Sequence, residues 1–386
     1  MKDFLVKFNL IVLICANIAS QFRAVSSISK LLFFSSIALG CVSILFCYGE
    51  IFSSKLQKTA PLLFSFMGII LLYQLSFGLP TWSVDSWNYV FARCVSIIIV
   101  YLAVIHSYNY FAKDFMFYLS IIIAIAIVYG TITDHTMAGS RMYLGFGNPN
   151  STSAIATVGF AGFLYSHKRN KLLVIMGLII SLWGILAGGS RTMTAITIIA
   201  VFLKYKVSYK TIILFVVLFF VAASILPYFG FNSIGIDRII NVVESKNFVG
   251  SREEVRKATI MMINENPVFG WGFKSGIQGE AVRITNMGSH NGYLDLIKSM
   301  GYPFAVLLFI LMAKDLVKIR RFFFSKISYV QYHVFVVIAV LLGAMYESML
   351  HGVNYLLNTL FFMSITILTL RNNGDVIECF EDKEYE

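Results

Sequence analysis

The apolar positions of this chain run in long continuous stretches rather than alternating. Twelve runs can be traced, near 4–20, 31–48, 60–79, 89–106, 115–133, 151–166, 171–188, 192–204, 211–229, 290–313, 328–346 and 352–370. A helix that crosses a bilayer needs about 20 predominantly apolar residues. The runs therefore predict transmembrane helices, the eighth being short for one. Continuous hydrophobicity excludes a transmembrane β-barrel, whose strands alternate. The expected fold is all-α: a polytopic integral membrane protein with about 12 transmembrane helices, a single membrane domain over residues 1–386. The first run follows Lys2 and Lys7 and ends in ANIAS, like a signal peptide. Eleven further runs behind it favour an uncleaved first helix.

Composition agrees. Of 386 residues, 58% are hydrophobic and only 13% charged, with mean hydropathy +0.76. A soluble domain carries about 25% charged residues, so soluble enzymes, secreted disulfide scaffolds and disordered chains are excluded. Six prolines suit long uninterrupted helices. Cys15, Cys41, Cys47 and Cys94 fall in apolar runs and Cys379 in the C-terminal tail, with no CxxC or Cys/His metal spacing. They read as small packing residues.

The net charge of +11 would suggest nucleic acid in a soluble chain; here the position of the positive charges matters more. With the N-terminus in the cytoplasm, 18 of the 31 basic residues fall on the inside and short outer loops hold only Arg23, Lys30, Arg141 and Arg191. Both termini are then cytoplasmic, the tail 371–386 being short and acidic. Residues 230–289 form one long extracytoplasmic loop between the ninth and tenth runs, carrying seven basic residues. Long loops translocate regardless of charge. Helical patterning and aromatic residues make this an ordered, functional loop rather than a linker. No internal repeat is visible.

Candidate chemistry lies on the outer face, where arginines recur after Gly-Ser. The first context is GSRMYLGFGNPN around Arg141, the second GGSRT around Arg191, and the third GSREEVRK with Arg252 and Arg256. Glycine lets backbone approach a ligand closely, and the guanidinium fork suits phosphate. Ser251 and Glu254 fit a capping box, so a helix is expected from Arg252. On it Arg252 and Arg256 share a face, Val255, Ala258 and Met262 form the apolar side, and Pro267 ends it. The turn NPVFGWGF follows. A fourth context, SHNGYLDLIKSMG, puts His290 at the outer start of the tenth run; imidazole suits general-base work near neutrality. Asn291 either orients a substrate or caps the helix.

Blander readings stand beside these. Interfacial arginines often serve as snorkelling anchors, and Asn148 and Asn150 around Pro149 are typical turn formers. Arg93 and Lys298 lie within runs and are expected to face protein or water. Lys298 can pair with Asp295 three residues earlier. No P-loop, HExxH or outer metal-ligand spacing is present.

Taken together, GGSRT (188–192), GSREEVRKATIMMINENPVFGWGF (250–273), SHNGYLDLIKSMG (289–301) and RMYLGFGNPN (141–150) resemble the O-antigen polymerase and O-antigen ligase superfamily of bacterial envelope glycan enzymes. The likeness covers roughly residues 140–313. It implies a GT-C-like, polytopic glycosyltransferase of the bacterial inner membrane, working on undecaprenyl-diphosphate-linked oligosaccharide without cofactor or metal. The first outer loop, QFRAVSSISK, has no carboxylate for the metal that some lipid-linked glycosyltransferases bind there. The resemblance matches Arg191 and Arg252 to diphosphate-engaging arginines and His290 to the histidine of acceptor binding or base chemistry. Together these three are the expected catalytic residues. Arg256, Arg141 and Asn291 are expected to bind substrate.

The leading expectation is a polymerase of O-antigen, capsule or exopolysaccharide, with the membrane lipid as its setting and a chain-length regulator as a partner. A ligase transferring glycan to lipid A–core or protein is the near alternative. A flippase for lipid-linked sugars would instead place polar groups along a mid-membrane cavity, whereas here they cluster outside. A non-catalytic assembly protein leaves the grouping of Ser-Arg motifs with His290 unexplained.

Overall fold

The computed structural model describes residues 2–51, 61–77, 84–139, 141–166, 169–206, 252–273 and 290–372. The ninth apolar run, Ser251 of the expected capping box, most of the long loop and the acidic tail lie outside the described residues.

The described chain is almost entirely helical. The helices are α1 (Lys2–Gln21), α2 (Ser26–Phe46), α3 (Tyr48–Ile51), α4 (Pro61–Phe77), α5 (Val84–His106), α6 (Phe115–Thr133), α7 (Pro149–Leu164), α8 (Lys171–Gly188), α9 (Arg191–Tyr205), α10 (Arg252–Glu265), α11 (Gly292–Ile319), α12 (Ser328–Gly343) and α13 (Leu356–Asn372). A two-residue hairpin pairs β1 (Met137–Ala138) with β2 (Arg141–Met142). Eleven of the twelve apolar runs coincide with helices, the fifth and seventh to the residue. Among the described residues, six helical stretches are long and apolar enough to cross a membrane: Lys2–Gln21, Arg23–Phe46, Val84–His106, Tyr110–Thr133, Lys171–Gly188 and Gly292–Phe324. The protein is an all-α membrane protein.

Burial follows hydrophobic periodicity in an inverted sense. On α8 the outward apolar residues include Leu172, Ile175, Met176, Ile179, Leu182, Trp183 and Leu186, an apolar stripe at helical spacing. In water such a patch is a liability; in a bilayer it meets lipid. The inward face of α8 is small instead. A Cβ on Gly177 would lie 2.4 Å from the Phe163 ring, and one on Gly188 would lie 2.4 Å from Ser153 Oγ. Helices associate in lipid through such close approach rather than through hydrophobicity. By contrast α5 and α13 are apolar and buried on nearly all sides. They form the centre, with α1, α2, α4 and α12 around them.

Two interruptions position polar groups. A π-helical turn, Tyr110–Asp114, precedes α6. There the Ala112 carbonyl lies 3.2 Å from Nε2 of His333, a wholly buried residue of α12 whose Nδ1 meets Ser364 Oγ at 3.0 Å. The second is a kink in α11, where Gly301 adopts φ 72° and Pro303 follows. Proline has no N–H for the Ser299 carbonyl. The Lys298 carbonyl also loses its partner, because the Tyr302 N–H turns away to the Pro267 carbonyl at 2.8 Å. The NPVFGWGF turn makes good both losses. Trp271 N–H donates to Lys298 O and Gly272 N–H to Ser299 O, each at 2.8 Å, and the Tyr73 hydroxyl adds a bond to Ser299 O at 2.7 Å. The 266–273 turn is thus held by hydrogen-bonding groups that the α11 kink leaves open.

Candidate active site

The arginine context at 141–150 begins on the loop after α6. Asp134 organises that loop. Its carboxylate accepts from Thr136 N–H and hydroxyl at 2.9 and 2.6 Å and from Gly145 N–H at 2.8 Å, with Arg23 at 3.9 Å. Burial pushes this carboxyl up, but the three hydrogen bonds and Arg23 outweigh it and hold the group below its ordinary value. Asn148 then caps α7, accepting from Asn150 N–H at 2.8 Å, with Pro149 at the first helical position. The turn-former reading of Asn148 holds. Asn150 does more: its side-chain oxygen accepts from Arg141 Nη1 at 3.1 Å, and its nitrogen donates to Glu347 Oε1 at 2.9 Å.

Glu347 stands in the connection between α12 and α13. Its other oxygen, Oε2, lies 3.4 Å from His290 Nδ1. Its backbone carbonyl accepts from Gly292 N–H at 3.1 Å and Met349 N–H at 2.7 Å. One carboxylate therefore joins Arg141, through Asn150, to His290. His290 has a left-handed backbone, φ 50°, uncommon for a residue with a Cβ but more accessible to histidine than to most. Asn291 next to it caps α11, accepting from Tyr293 and Leu294 N–H at 3.0 Å each, while its amide donates to Met345 O at 3.1 Å. The cap, one of its two expected roles, is thus filled.

The second arginine context abuts the first. Gly189 ends α8 in the left-handed conformation, φ 62°, and a Cβ there would lie 3.0 Å from Cγ of Arg141. Ser190 caps α9 through Met193 N–H at 3.5 Å, which makes Arg191 the first residue of that helix and leaves it half-buried. The positive end of the α9 dipole thus adjoins Arg141.

The third context forms the expected helix. α10 starts at Arg252 and ends at Glu265, before Pro267; Val255, Ala258 and Met262 are buried, and Arg256 is exposed. The backbone places Arg252 at the first position of α10. Arg256 forms no hydrogen bond or ion pair among the described residues. α10 rests on α11. The arrangement brings Arg141, the 189–191 segment, His290 and Asn291 together, whereas α10 joins them only through α11.

Below Glu347 lies a buried polar cluster. Arg93 of α5 is 2% exposed. Its Nη2 donates to Tyr89 Oη, Leu350 O and His351 O at 3.0, 3.0 and 2.7 Å. It faces protein, as expected. His351 Nε2 lies 3.2 Å from Ser299 Oγ, and its ring stacks on Tyr89, which itself stacks on the buried Phe273. Burial pushes the His351 imidazole well below its ordinary range; Asp295 opposes this, and Arg93 and Lys298 add to it. Lys298 pairs with Asp295 at 3.3 Å, as its spacing predicts, and Ser348 hydroxyl donates to Asp295 at 2.5 Å. The cluster fixes the segment that carries Glu347 against α5 and α11.

Glu347 is the residue that sequence reasoning missed. Its signal was present: a carboxylate in the short connection between the last two apolar runs.

No curated protein matches the chain. Residues 176–310, from within α8 to within α11, match the family model described as O-antigen ligase. That stretch spans GGSRT, the Arg252 helix, His290 and the α11 kink, and the match supports a likeness to the O-antigen ligase and polymerase superfamily.

Proposed function

We propose that this protein is a polysaccharide polymerase, transferring undecaprenyl-diphosphate-linked glycan onto another lipid-linked repeat unit. The reading has twelve transmembrane helices in one domain, residues 230–289 as an outer loop, and both termini on the cytoplasmic side of a bacterial inner membrane. The observation that carries it is the Arg141–Asn150–Glu347–His290 chain, beside the GGSRT turn at the start of α9.

The chemistry follows from those groups. A hydroxyl of the acceptor sugar attacks the anomeric carbon of the donor. His290 takes the hydroxyl proton on Nε2, and Glu347, beside Nδ1, fixes the tautomer and steadies the imidazolium. The bond from the anomeric carbon to the diphosphate oxygen breaks, and the lipid diphosphate leaves with that electron pair. Arg191 and Arg252, each at the first position of a helix, stabilise the leaving charge together with the helix dipoles. Arg256, Arg141 and Asn291 line the substrate path. Direct displacement inverts the anomeric centre. No step needs a metal or cofactor.

The test is chain growth from a purified lipid-linked repeat unit without ATP. Growth lost in Arg252→Ala and His290→Ala supports the reading; polymer of normal length and rate from both variants refutes the site. Retained polymerisation by Arg252→Lys argues against bidentate phosphate recognition. The description of the matching family favours a second reading, transfer to lipid A–core. Product formed on that acceptor, and none on a second repeat unit, would establish it.

A further inference from the structure

Far from the arginines, three elements bring together side chains that the proposed reaction does not use. His106 ends α5, Cys47 follows α2, and Glu50 lies on the short helix α3. One ligand-type atom from each of Cys47, Glu50 and His106 lies within 4.8 Å of the other two. His106 Nε2 is 2.6 Å from Glu50 Oε2 and 3.9 Å from Cys47 Sγ. The other ring nitrogen, Nδ1, is 2.6 Å from Asp3 Oδ1 of α1. This end of the bundle is remote from His290. Arg93, which grips the 350–351 carbonyls, is thirteen residues before His106, about 20 Å along the α5 axis.

We propose that Cys47, Glu50 and His106 bind a divalent cation of the zinc class, with Asp3 orienting His106. A neutral imidazole carries one proton. If Nδ1–H donates to Asp3, the Nε2 lone pair faces the carboxylate of Glu50, and a positive charge has to lie between them. A second proton would supply it, giving a plain ion pair. Cys47 argues for the metal, because its sulfur, 1% exposed, converges on the same nitrogen. A mixed thiolate, imidazole and carboxylate set suits zinc. Tetrahedral zinc spaces such ligand atoms about 3.3–3.6 Å apart. Cys47 and His106 are already close to that, and Glu50 has to withdraw by under ~1 Å.

Asp3 supplies the carboxylate that metal-bound histidines characteristically have behind them. Charge also balances. Asp3, Glu50 and a Cys47 thiolate carry three negative charges, against Lys2, 3.7 Å from Glu50, and a doubly charged ion. The ion would clip the start of α1 to the ends of α2 and α5, and three protein ligands leave one position for water.

The test uses the untagged full chain in lipid nanodiscs, stripped with chelator and titrated with Zn²⁺ against a competing indicator. Co²⁺ serves as the spectroscopic probe. The expected result is a single tight equivalent of Zn²⁺ and a cobalt spectrum with a thiolate charge-transfer band. That band vanishes in Cys47→Ser, and Asp3→Asn weakens Zn²⁺ binding 10–100-fold while leaving the fold intact by circular dichroism. No stoichiometric Zn²⁺, or unchanged affinity in both Cys47→Ser and His106→Gln, overturns the proposal and leaves the doubly paired imidazolium as the account of this cluster. Because the readout is metal binding, its outcome is independent of the glycosyltransferase reading.

Discussion

Glu347 Oε2 lies 3.4 Å from His290 Nδ1, across 57 residues of sequence. The other oxygen of Glu347 is held by Asn150, 197 residues away. A carboxylate fixed on one side and facing an imidazole on the other is a positioning device for that ring. Glu347→Gln keeps the shape and removes the charge. Polymerisation by this variant is expected to fall about 100-fold in kcat with little change in KM. Asn150→Ala should cost roughly tenfold by releasing both Arg141 and Glu347. Steady-state rates on a lipid-linked repeat unit check both, and a Glu347→Gln enzyme at full kcat removes Glu347 from the mechanism.

The kink at Gly301 can be tested through the turn it receives. A Cβ there would fall 2.2 Å from the Val268 carbonyl, at φ 72°. Gly301→Ala is expected to destabilise by about 2 kcal/mol or more and to undock the 266–273 turn. Hydrogen exchange at the Trp271 and Gly272 amides should rise. Gly139→Ala, also at positive φ but with nothing within 4 Å, should cost only about 1 kcal/mol. Equal effects of the two would show that the kink contact is unimportant.

Arg93 carries the segment behind Glu347. Arg93→Met preserves length and apolar contact but leaves the Leu350 carbonyl without its guanidinium donor and the His351 carbonyl with Tyr89 alone. Each lost partner costs about 1–3 kcal/mol. The melting temperature in detergent should drop, and activity should fall with it. Arg93→Lys should recover only part, since the shorter lysine side chain does not carry its ammonium as far as the position of Nη2. An Arg93→Met protein as stable as wild type would contradict this account.

His351 gives a pH dependence with a definite sign. Its folded-state affinity for a proton is depressed from the ordinary 6.5 by burial. Below about pH 6.5 the unfolded chain therefore takes up a proton that the folded chain refuses, and stability falls as pH falls. Above that pH the group contributes no slope. Thermal melts of wild type and His351→Gln between pH 7.5 and 4.5, a range of about three units around the ordinary value, should converge towards the acid end. A wild-type curve with no extra acid loss would refute the buried neutral state.

Much of the fold was legible because a bilayer imposes one-dimensional rules. Every spanning backbone must satisfy itself as a helix, so continuous apolar runs and helices coincide, to the residue at 115–133 and 171–188. Local signals were equally readable. Asn148 before Pro149, Ser190 before Arg191 and Pro267 after Glu265 set helix ends through capping and missing N–H groups that involve only near neighbours. The Lys298–Asp295 pair follows from helical spacing.

What the sequence could not supply were the partnerships between distant segments. Nothing local says that Asn150 reaches Glu347, that Glu347 faces His290, or that the Trp271 and Gly272 amides answer the carbonyls freed at the α11 kink. Nor does spacing reveal Cys47 beside His106, 59 residues on. Apolar runs specify which stretches become helices, because that choice depends on solvent and on bonds four residues apart. Which helix ends meet depends on side-chain packing among α1, α5, α11 and α13. That packing in turn decides which buried carboxylate, imidazole or thiol acquires a partner.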